Sequence, residues 1–292
     1  MRGVGRHPCR PDIEHLTIVQ VPPTTLQPDQ QPEQWNEYVH AYEEVFEPFA
    51  MEFADAALTS LSLGVGQRML DVGCGSGGAA IRTASQGVSV LAVDAAAGMV
   101  SRTRERAATA GVVVQACVMD GAALALPAAS FDAALSVFGV VLFPDAVTGL
   151  GEMRRVVRPG GRIAVVTWTA PQHYELAAAL RAAVQSVWPD QPASPLPAQL
   201  RYREATDFVA LFASAGCEEV DVVTVTSSLL APSARWLAER IGFAPGMAAL
   251  VSSLGGRRNA VMTAFVGGLE RRFGSGPVAL SGVAFVGTAR VA

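Results

Sequence analysis

Leu70-Asp71-Val72-Gly73-Cys74-Gly75-Ser76-Gly77-Gly78 is the stretch that decides the fold of this chain. An apolar, β-branched run ends in glycines and passes straight into a helix-forming stretch near Gly78 to Ser85. That arrangement lets the backbone approach a ligand closely and aims the free N–H groups of the first helical turn at it. Outward from it, short β-branched runs alternate with helix-length segments. The runs are Arg68 to Val72, Val88 to Val93, Val112 to Val118, Phe131 to Val137 and Arg162 to Trp168. Helical stretches lie near Gly98 to Thr109 and Ala146 to Val157, and Gly87 and Gly111 stand where left-handed C-terminal caps are needed. Strand, helix, strand at this spacing predicts right-handed crossovers and a parallel sheet covered on both faces, an α/β doubly wound domain.

The chain has 292 residues, with 22 Lys+Arg against 26 Asp+Glu and a net charge of −4. That balance argues against the basic stripe of a nucleic-acid-binding domain. Half of the residues are hydrophobic, only 16% are charged and mean hydropathy is +0.31, so a large core is available. Every cationic side chain is Arg, which removes Schiff-base catalysis and a P-loop lysine from consideration. No run of about 18 apolar residues predicts a membrane span. Met1 to Gln20 lacks the apolar stretch and cleavage site of a secretory signal, so a cytoplasmic protein is expected. Cys9, Cys74, Cys117 and Cys217 are far apart, which predicts reduced thiols and no metal site.

Residues 1–34, with Pro22-Pro23, Pro28 and Pro32 among Gln, Thr and Asp, read as a flexible arm. From Trp35, aromatic residues recur at helical spacing through Tyr38, Tyr42, Phe46, Phe49 and Phe53, with Pro48 expected to kink or split the helix. Beyond Trp168 come helical stretches near Tyr174 to Val187 and Ala205 to Ala215 and a strand from Val220 to Thr226. Further helical stretches, near Ser233 to Ile241 and Arg257 to Phe273, precede a last strand from Val278 to Arg290. The long insertion between these strands, rich in Phe243, Met247, Leu250, Met262 and Phe265, is expected to be a lid. The expected organisation is an arm over 1–34 and one domain over 35–292. Its core is 66–168, and its lid and substrate elements are 35–60, 170–215 and 230–276.

The glycine loop by itself is ambiguous. Gly73, Gly75 and Gly78 fit the dinucleotide pattern G-x-G-x-x-G, whereas Asp71, Gly73, Gly75 and Gly77 fit the D-x-G-x-G-x-G pattern of S-adenosylmethionine (SAM) enzymes. Asp94, at the end of the second strand, suits the ribose in either case. Asp71 favours the second pattern, because a carboxylate beside the loop attracts an ammonium and repels a pyrophosphate. Asp120, after the third strand, can accept a hydrogen bond from an exocyclic adenine amine. With Phe131-Asp132-Ala133-Ala134-Leu135-Ser136 and the turn Arg158-Pro159-Gly160-Gly161-Arg162, the ordered set resembles the class I SAM-dependent methyltransferases. Within that class it is similar to the small-molecule group related to the quinone-biosynthesis C-methyltransferases, well over Gly66 to Trp168 and more loosely beyond.

The resemblance implies a Rossmann-like seven-stranded sheet with a helical N-terminal segment and a helical lid inserted before the last strand. It implies SAM as cofactor, S-adenosylhomocysteine (SAH) as product and no metal. Asp71, Gly73, Gly75 and Gly77 would cradle the methionine part, Asp94 would hold the ribose hydroxyls, Met99 would pack on the adenine and Asp120 would bind its amine, with Cys74, Ala95 and Gly121 also among the cofactor-binding residues. Ser136 would line the pocket under the sulfonium. Two departures are visible: Ala95-Ala96-Ala97 lacks a small hydroxyl residue, and Gly121 stands where Ala is common.

Methyl transfer from a sulfonium is an in-line displacement that needs alignment and exclusion of water. A base is required only for a weakly acidic hydroxyl nucleophile, and His40 and His173 are the catalytic candidates, with Tyr42 and Tyr174 near them in sequence. Tyr42, Phe138, Trp168 and Tyr174 are the expected substrate-binding residues, while core packing accounts better for Trp35 and Tyr38. Arg201 and Arg203 are the first positions to consider for an anionic acceptor. The expected partner is a small, largely apolar metabolite, with no nucleic acid. Two alternatives stay open: a SAM-binding protein that promotes a cyclisation or elimination, and a nicotinamide-dependent dehydrogenase.

Overall fold

The strand that feeds the glycine loop, β1 (Arg68–Val72), lies inside a seven-stranded sheet of order β3-β2-β1-β4-β5-β7-β6. This is a computed structural model, and it describes residues 25–191 and 196–292. The other strands are β2 (Ser89–Asp94), β3 (Val114–Val118), β4 (Phe131–Val137), β5 (Val157–Trp168), β6 (Glu218–Ala231) and β7 (Val278–Arg290). The first five are parallel, and β7 inserts antiparallel between β5 and β6. The strand order reverses between β1 and β4, the switch point at which open α/β sheets place their ligands.

Alternation along β1 explains the layering. Met69 packs into the core on one face with the helices Glu47–Leu61, Glu175–Val187 and Arg258–Phe273. Leu70 and Val72 pack on the other face with Ala146–Val156 and Ala205–Ser214. Residues 69–72 are all buried, which is why the strand reads as a continuous apolar run broken only by Asp71. Pro48 splits the N-terminal helix as expected. Val39–Val45 ends at Phe46, and Pro48 sits in the first turn of Glu47–Leu61, where its missing N–H costs nothing.

Two expectations change in detail. Of the arm expected over 1–34, residues 1–24 lie outside the described residues, but Pro28–Gln30 and Pro32–Trp35 are short helices. They are tied down: Gln30 Nε2 donates to the Leu142 carbonyl at 3.1 Å, and the Gly246 backbone N–H donates to Asp29 Oδ1 at 2.7 Å. Proline and glutamine have little apolar surface of their own, so these side-chain hydrogen bonds to remote segments add to the packing of Trp35 against the core. The insertion between β6 and β7 is not all lid. Val261, Phe265 and Leu269 of Arg258–Phe273 are buried in the core layer. The turn around Phe243 is what reaches the sheet's C-terminal edge, where that ring stacks on Phe46 at 5.7 Å.

Candidate active site

At the end of β1 the Val93 carbonyl accepts the backbone N–H groups of Gly73 (2.9 Å) and Cys74 (3.0 Å), folding the loop back over β2. Asp94 ties the same two strand ends together. Its Oδ2 accepts from the Gly75 N–H at 3.0 Å and its Oδ1 from the Ala96 N–H at 2.9 Å. Gly77 is at φ +89°, and a Cβ there would come within 2.6 Å of the Thr103 side chain. Thr103, from the helix Ala97–Ala110, donates to the Gly75 carbonyl at 3.0 Å, so the loop is clasped from that side as well.

Asp71 is only 2% exposed, and its Oδ2 has no hydrogen-bond partner. Burial, then the nearby charges of Asp94 and Glu47, push its carboxyl up to about 7. Asp94 is pushed up to about 6 by burial, opposed by the Ala96 and Gly75 N–H groups. An unpartnered buried carboxylate costs roughly 1–3 kcal/mol, more when charged. An unpartnered Asp71 near a second carboxylate, the backbone-bonded Asp94, suits a cationic ligand. The residues therefore fit SAM, whose ammonium and sulfonium bring the missing positive charge, and Asp71 and Asp94 with the loop backbone are what would hold it.

The remaining cofactor candidates take varied positions. Cys74 is buried beside Thr103, and burial raises its thiol well above the ordinary range, which makes it packing and not a nucleophile. Met99 is buried with Val39 and Ala96, and the Trp35 and Tyr42 rings pack against this group. Ala95 is exposed. Asp120 is also exposed and accepts from the Ala122 N–H at 2.9 Å. Gly121 has a clear reason to be glycine, since a Cβ there would lie 2.5 Å from the Phe143 ring and 2.8 Å from Val72. Ser136 has no hydroxyl to spare: it donates to the Val72 carbonyl at 2.7 Å and accepts from the Val140 N–H at 2.9 Å. It pins β4 to β1 under the switch point.

On the β4 side a ladder of rings begins. Phe138 stacks on Trp168 at 4.5 Å, and Trp168 on Tyr174 at 4.6 Å. Phe46 packs edge-on against Phe138 (5.8 Å) and Trp168 (6.1 Å), and it meets Tyr42 at 5.5 Å. Tyr42 closes the ladder onto the glycine loop; a Cβ at Gly75 would lie 3.2 Å from its ring. Phe138 adopts φ +57°, a left-handed conformation that a bulky residue holds only when its surroundings impose it. The Tyr174 hydroxyl is buried without a partner, and burial raises its pKa. Burial, reinforced by the charges of Glu47, Asp94 and Asp71, raises Tyr42 further, so neither phenol serves as a base near neutral pH. The structure thus brings the four expected substrate residues, Tyr42, Phe138, Trp168 and Tyr174, into one cluster. A small cavity lined by Tyr42, Met51, Asp71, Gly73 and Val137 lies between the Tyr42 end of the ladder and the Asp71 carboxyl.

The two histidines differ. His40 is exposed on Val39–Val45. His173 is also exposed, and its Nδ1 lies 3.2 Å from Thr169 Oγ1, which donates to the Val283 carbonyl at 2.9 Å. With the threonine hydrogen committed, the hydrogen-bond network assigns the proton to Nδ1 and leaves Nε2 as the free acceptor. Arg201 donates to the Pro144 carbonyl at 3.2 Å and Arg203 to the Leu200 carbonyl at 3.4 Å, so both guanidiniums serve loop closure. Sequence reading missed Glu47 and Phe46, which complete the clasp and the ladder. A helical stripe shows that such residues face inward but not which loop they meet.

Among the described residues no cluster of His, Cys, Asp or Glu has metal-ligand geometry, and no helix is long and apolar enough to cross a membrane. Residues 69–161 match the family model of the methyltransferase domain. A Mycobacterium tuberculosis protein of uncharacterized function is 34% identical over 161 residues, 55% of this chain and 57% of its own length. The demethylmenaquinone methyltransferase of Beutenbergia cavernae is 38% identical over 118 residues, 40% of this chain and 47% of its own. The chain thus spans about half the length of the curated relatives it matches. A Haemonchus contortus phosphoethanolamine N-methyltransferase, solved with phosphomonomethylethanolamine and SAH, shares the fold at TM-score 0.55 and 18% identity, covering 89% of this chain and 58% of that one. Residues 69–161 thus match a methyltransferase domain, part of the chain resembles the demethylmenaquinone methyltransferase, and the fold is shared with the Haemonchus contortus enzyme.

Proposed function

We propose that the protein transfers the methyl group of SAM to a small, largely apolar metabolite at a carbon or hydroxyl oxygen, a reaction of class EC 2.1.1, in the cytoplasm. The observation that carries this reading is the buried, unpartnered Asp71 carboxylate at the switch point, one cavity away from a ladder of aromatic rings. SAM supplies the electrophilic methyl group. Asp71 and Asp94 hold its positive and hydroxyl-bearing parts, and the glycine loop lets the backbone come close. Phe138, Trp168 and Tyr174 give the acceptor a flat apolar wall and keep water from the reacting atoms, and the Tyr174 hydroxyl offers one polar contact. His173, next to Tyr174 in sequence, offers Nε2 as the proton acceptor for a hydroxyl substrate. The four separated cysteines and the acidic charge balance support the expected compartment and a small-molecule partner.

The test is incubation with methyl-labelled SAM and a panel of phenols, quinols and other apolar acceptors, preceded by calorimetry. Binding of SAM and SAH in the micromolar range and labelled product are expected. Folded protein that binds neither SAM nor SAH sinks the reading. Turnover of an acceptor without label moves the activity to a non-methylating reaction.

A further inference from the structure

Glu47 is a buried charge that the proposed chemistry does not use. It opens the helix Glu47–Leu61, is 6% exposed, and its Oε1 accepts from Ser76 Oγ at 2.6 Å and from the Gly78 N–H at 3.0 Å. Arg106, from the helix Ala97–Ala110, donates to Oε1 at 2.8 Å and reaches Oε2 at 2.6 Å. The same guanidinium donates to the Ser76 carbonyl at 2.8 Å and to its hydroxyl at 3.0 Å. One helical turn earlier, Arg102 grips Glu43 through two hydrogen bonds of 2.6 and 2.9 Å. Three segments far apart in sequence are thereby locked on Ser76, which is fully buried.

The location of the lock gives it more than a packing role. Phe46 and Tyr42, at the head of the same helical segment, lie over the site, and Tyr42 sits on Gly75. A Cβ at Gly78 would come within 2.9 Å of the Glu47 carboxyl carbon, so the helix start and the carboxylate are already in contact. Glu47 also sits close enough to raise the Asp71 carboxyl. Arg106 neutralises Glu47, so the clasp holds the loop without altering the net charge that Asp71 and Asp94 present. Removing the carboxylate alone frees an arginine charge next to a site built for a cation.

We propose that Glu47 is a positioning residue for the cofactor: clasped by Arg106 across Ser76 and Gly78, it sets the curvature of the glycine loop and the seat of Tyr42. This rests on the reading that the loop holds SAM. The full chain is compared with Glu47→Gln, Arg106→Lys and Glu47→Gln/Arg106→Gln, by calorimetry with SAM and with SAH and by steady-state kinetics. Glu47→Gln is expected to weaken SAM at least 10-fold and SAH less, because only SAM carries the sulfonium that the freed Arg106 opposes. The double variant is expected to restore the wild-type ratio of SAM to SAH affinity while both remain weak. Cofactor KM rises by a larger factor than acceptor KM, which moves only as far as Tyr42 is unseated. Arg106→Lys keeps the charge but cannot span Ser76 and Glu47 together, so it weakens both ligands about equally even if Glu47→Gln fails to fold. Wild-type affinity in Arg106→Lys, or equal losses of SAM and SAH in a folded Glu47→Gln, overturns the proposal. Wild-type protein that binds neither ligand overturns the methyltransferase reading instead.

Discussion

On one side of the switch point, residues 71–96 are held by backbone hydrogen bonds, positive-φ glycines and the Asp94 carboxylate, all within one β-loop-helix-β unit. On the other side, the rings of Phe46, Phe138, Trp168, Tyr174 and Phe243 come from separate stretches of chain and hold one another by stacking. The first half is charged and shaped by this local unit, with the remote Glu47 clasp added, and it leaves a carboxylate without a partner. The second is long-range and apolar, with the Tyr174 hydroxyl as its unpartnered polar atom. A charged half of this kind can bind one constant ligand, while the aromatic half can be reshaped without disturbing it.

The sharpest way to break the comparison is Asp71→Asn. Removing the charge should weaken SAM about 100-fold, roughly 2.7 kcal/mol, yet raise the melting temperature of the ligand-free protein because a buried, repelled carboxylate is gone. Calorimetry and thermal unfolding read the two effects. The same group fixes a pH dependence. Its carboxyl lies at about 7 in the folded chain against an ordinary 3.8. Between about pH 4 and 7 the folded chain therefore keeps a proton that the unfolded chain releases, and stability falls as pH rises through that window. SAM affinity should rise over the upper part of the same window, where Asp71 becomes ionised. Asp71→Asn should flatten both trends. A ligand-free stability that climbs from pH 5 to 7 and owes nothing to Asp71 would remove the charge argument.

The aromatic half is tested by Phe138. Phe to Ala in a core costs about 3–5 kcal/mol, and glycine is ordinarily worse than alanine. At φ +57° the order should reverse. Phe138→Gly loses the same ring but relaxes the backbone, so it should be as stable as Phe138→Ala or more stable by up to about 1 kcal/mol. Denaturant unfolding of the two variants decides it.

The same contrast explains what the sequence made legible. The glycine loop, Asp71 and Asp94 announce themselves because backbone conformation and charge leave local marks: glycine where a Cβ would strike Thr103, and an acidic residue in an otherwise apolar strand. The sheet followed from alternation and from Gly87 and Gly111 at helix ends. Ser136, expected to line the pocket, has its hydroxyl committed to Val72 and Val140, which sequence could not show because a serine's hydrogen-bond partners are set by tertiary contacts. Glu47 was invisible for the same reason, since its partners lie 29 to 59 positions away. The strap over Pro28–Trp35 read as an arm because its order depends on polar contacts with residues such as Leu142 and Gly246.

Gly121 lies where the two halves meet. The Phe143 ring fills the space above it and also crowds Gly149, where a Cβ would come within 2.6 Å of the ring. Gly121→Ala should therefore destabilise by about 1–3 kcal/mol through overpacking. Gly121→Ala/Phe143→Leu should recover much of that loss. Recovery without return of SAM affinity would show that the ring itself, and not the absence of a Cβ, serves the cofactor side.

The histidines separate the two possible chemistries. His40 is exposed on Val39–Val45, so His40→Ala should leave turnover within about twofold. His173 presents a free Nε2 beside Tyr174, and His173→Ala should slow a hydroxyl acceptor by about 10²-fold or more if a base is needed, with cofactor affinity unchanged. Rates for an O-methylated and a C-methylated acceptor on both variants decide between the two chemistries. A C-acceptor should tolerate the loss of either ring, because its nucleophile is already activated and asks the aromatic half only for alignment. A loss shared by both acceptors in His173→Ala would instead assign that ring to holding the loop after β5 through Thr169, and the site would then have no protein base.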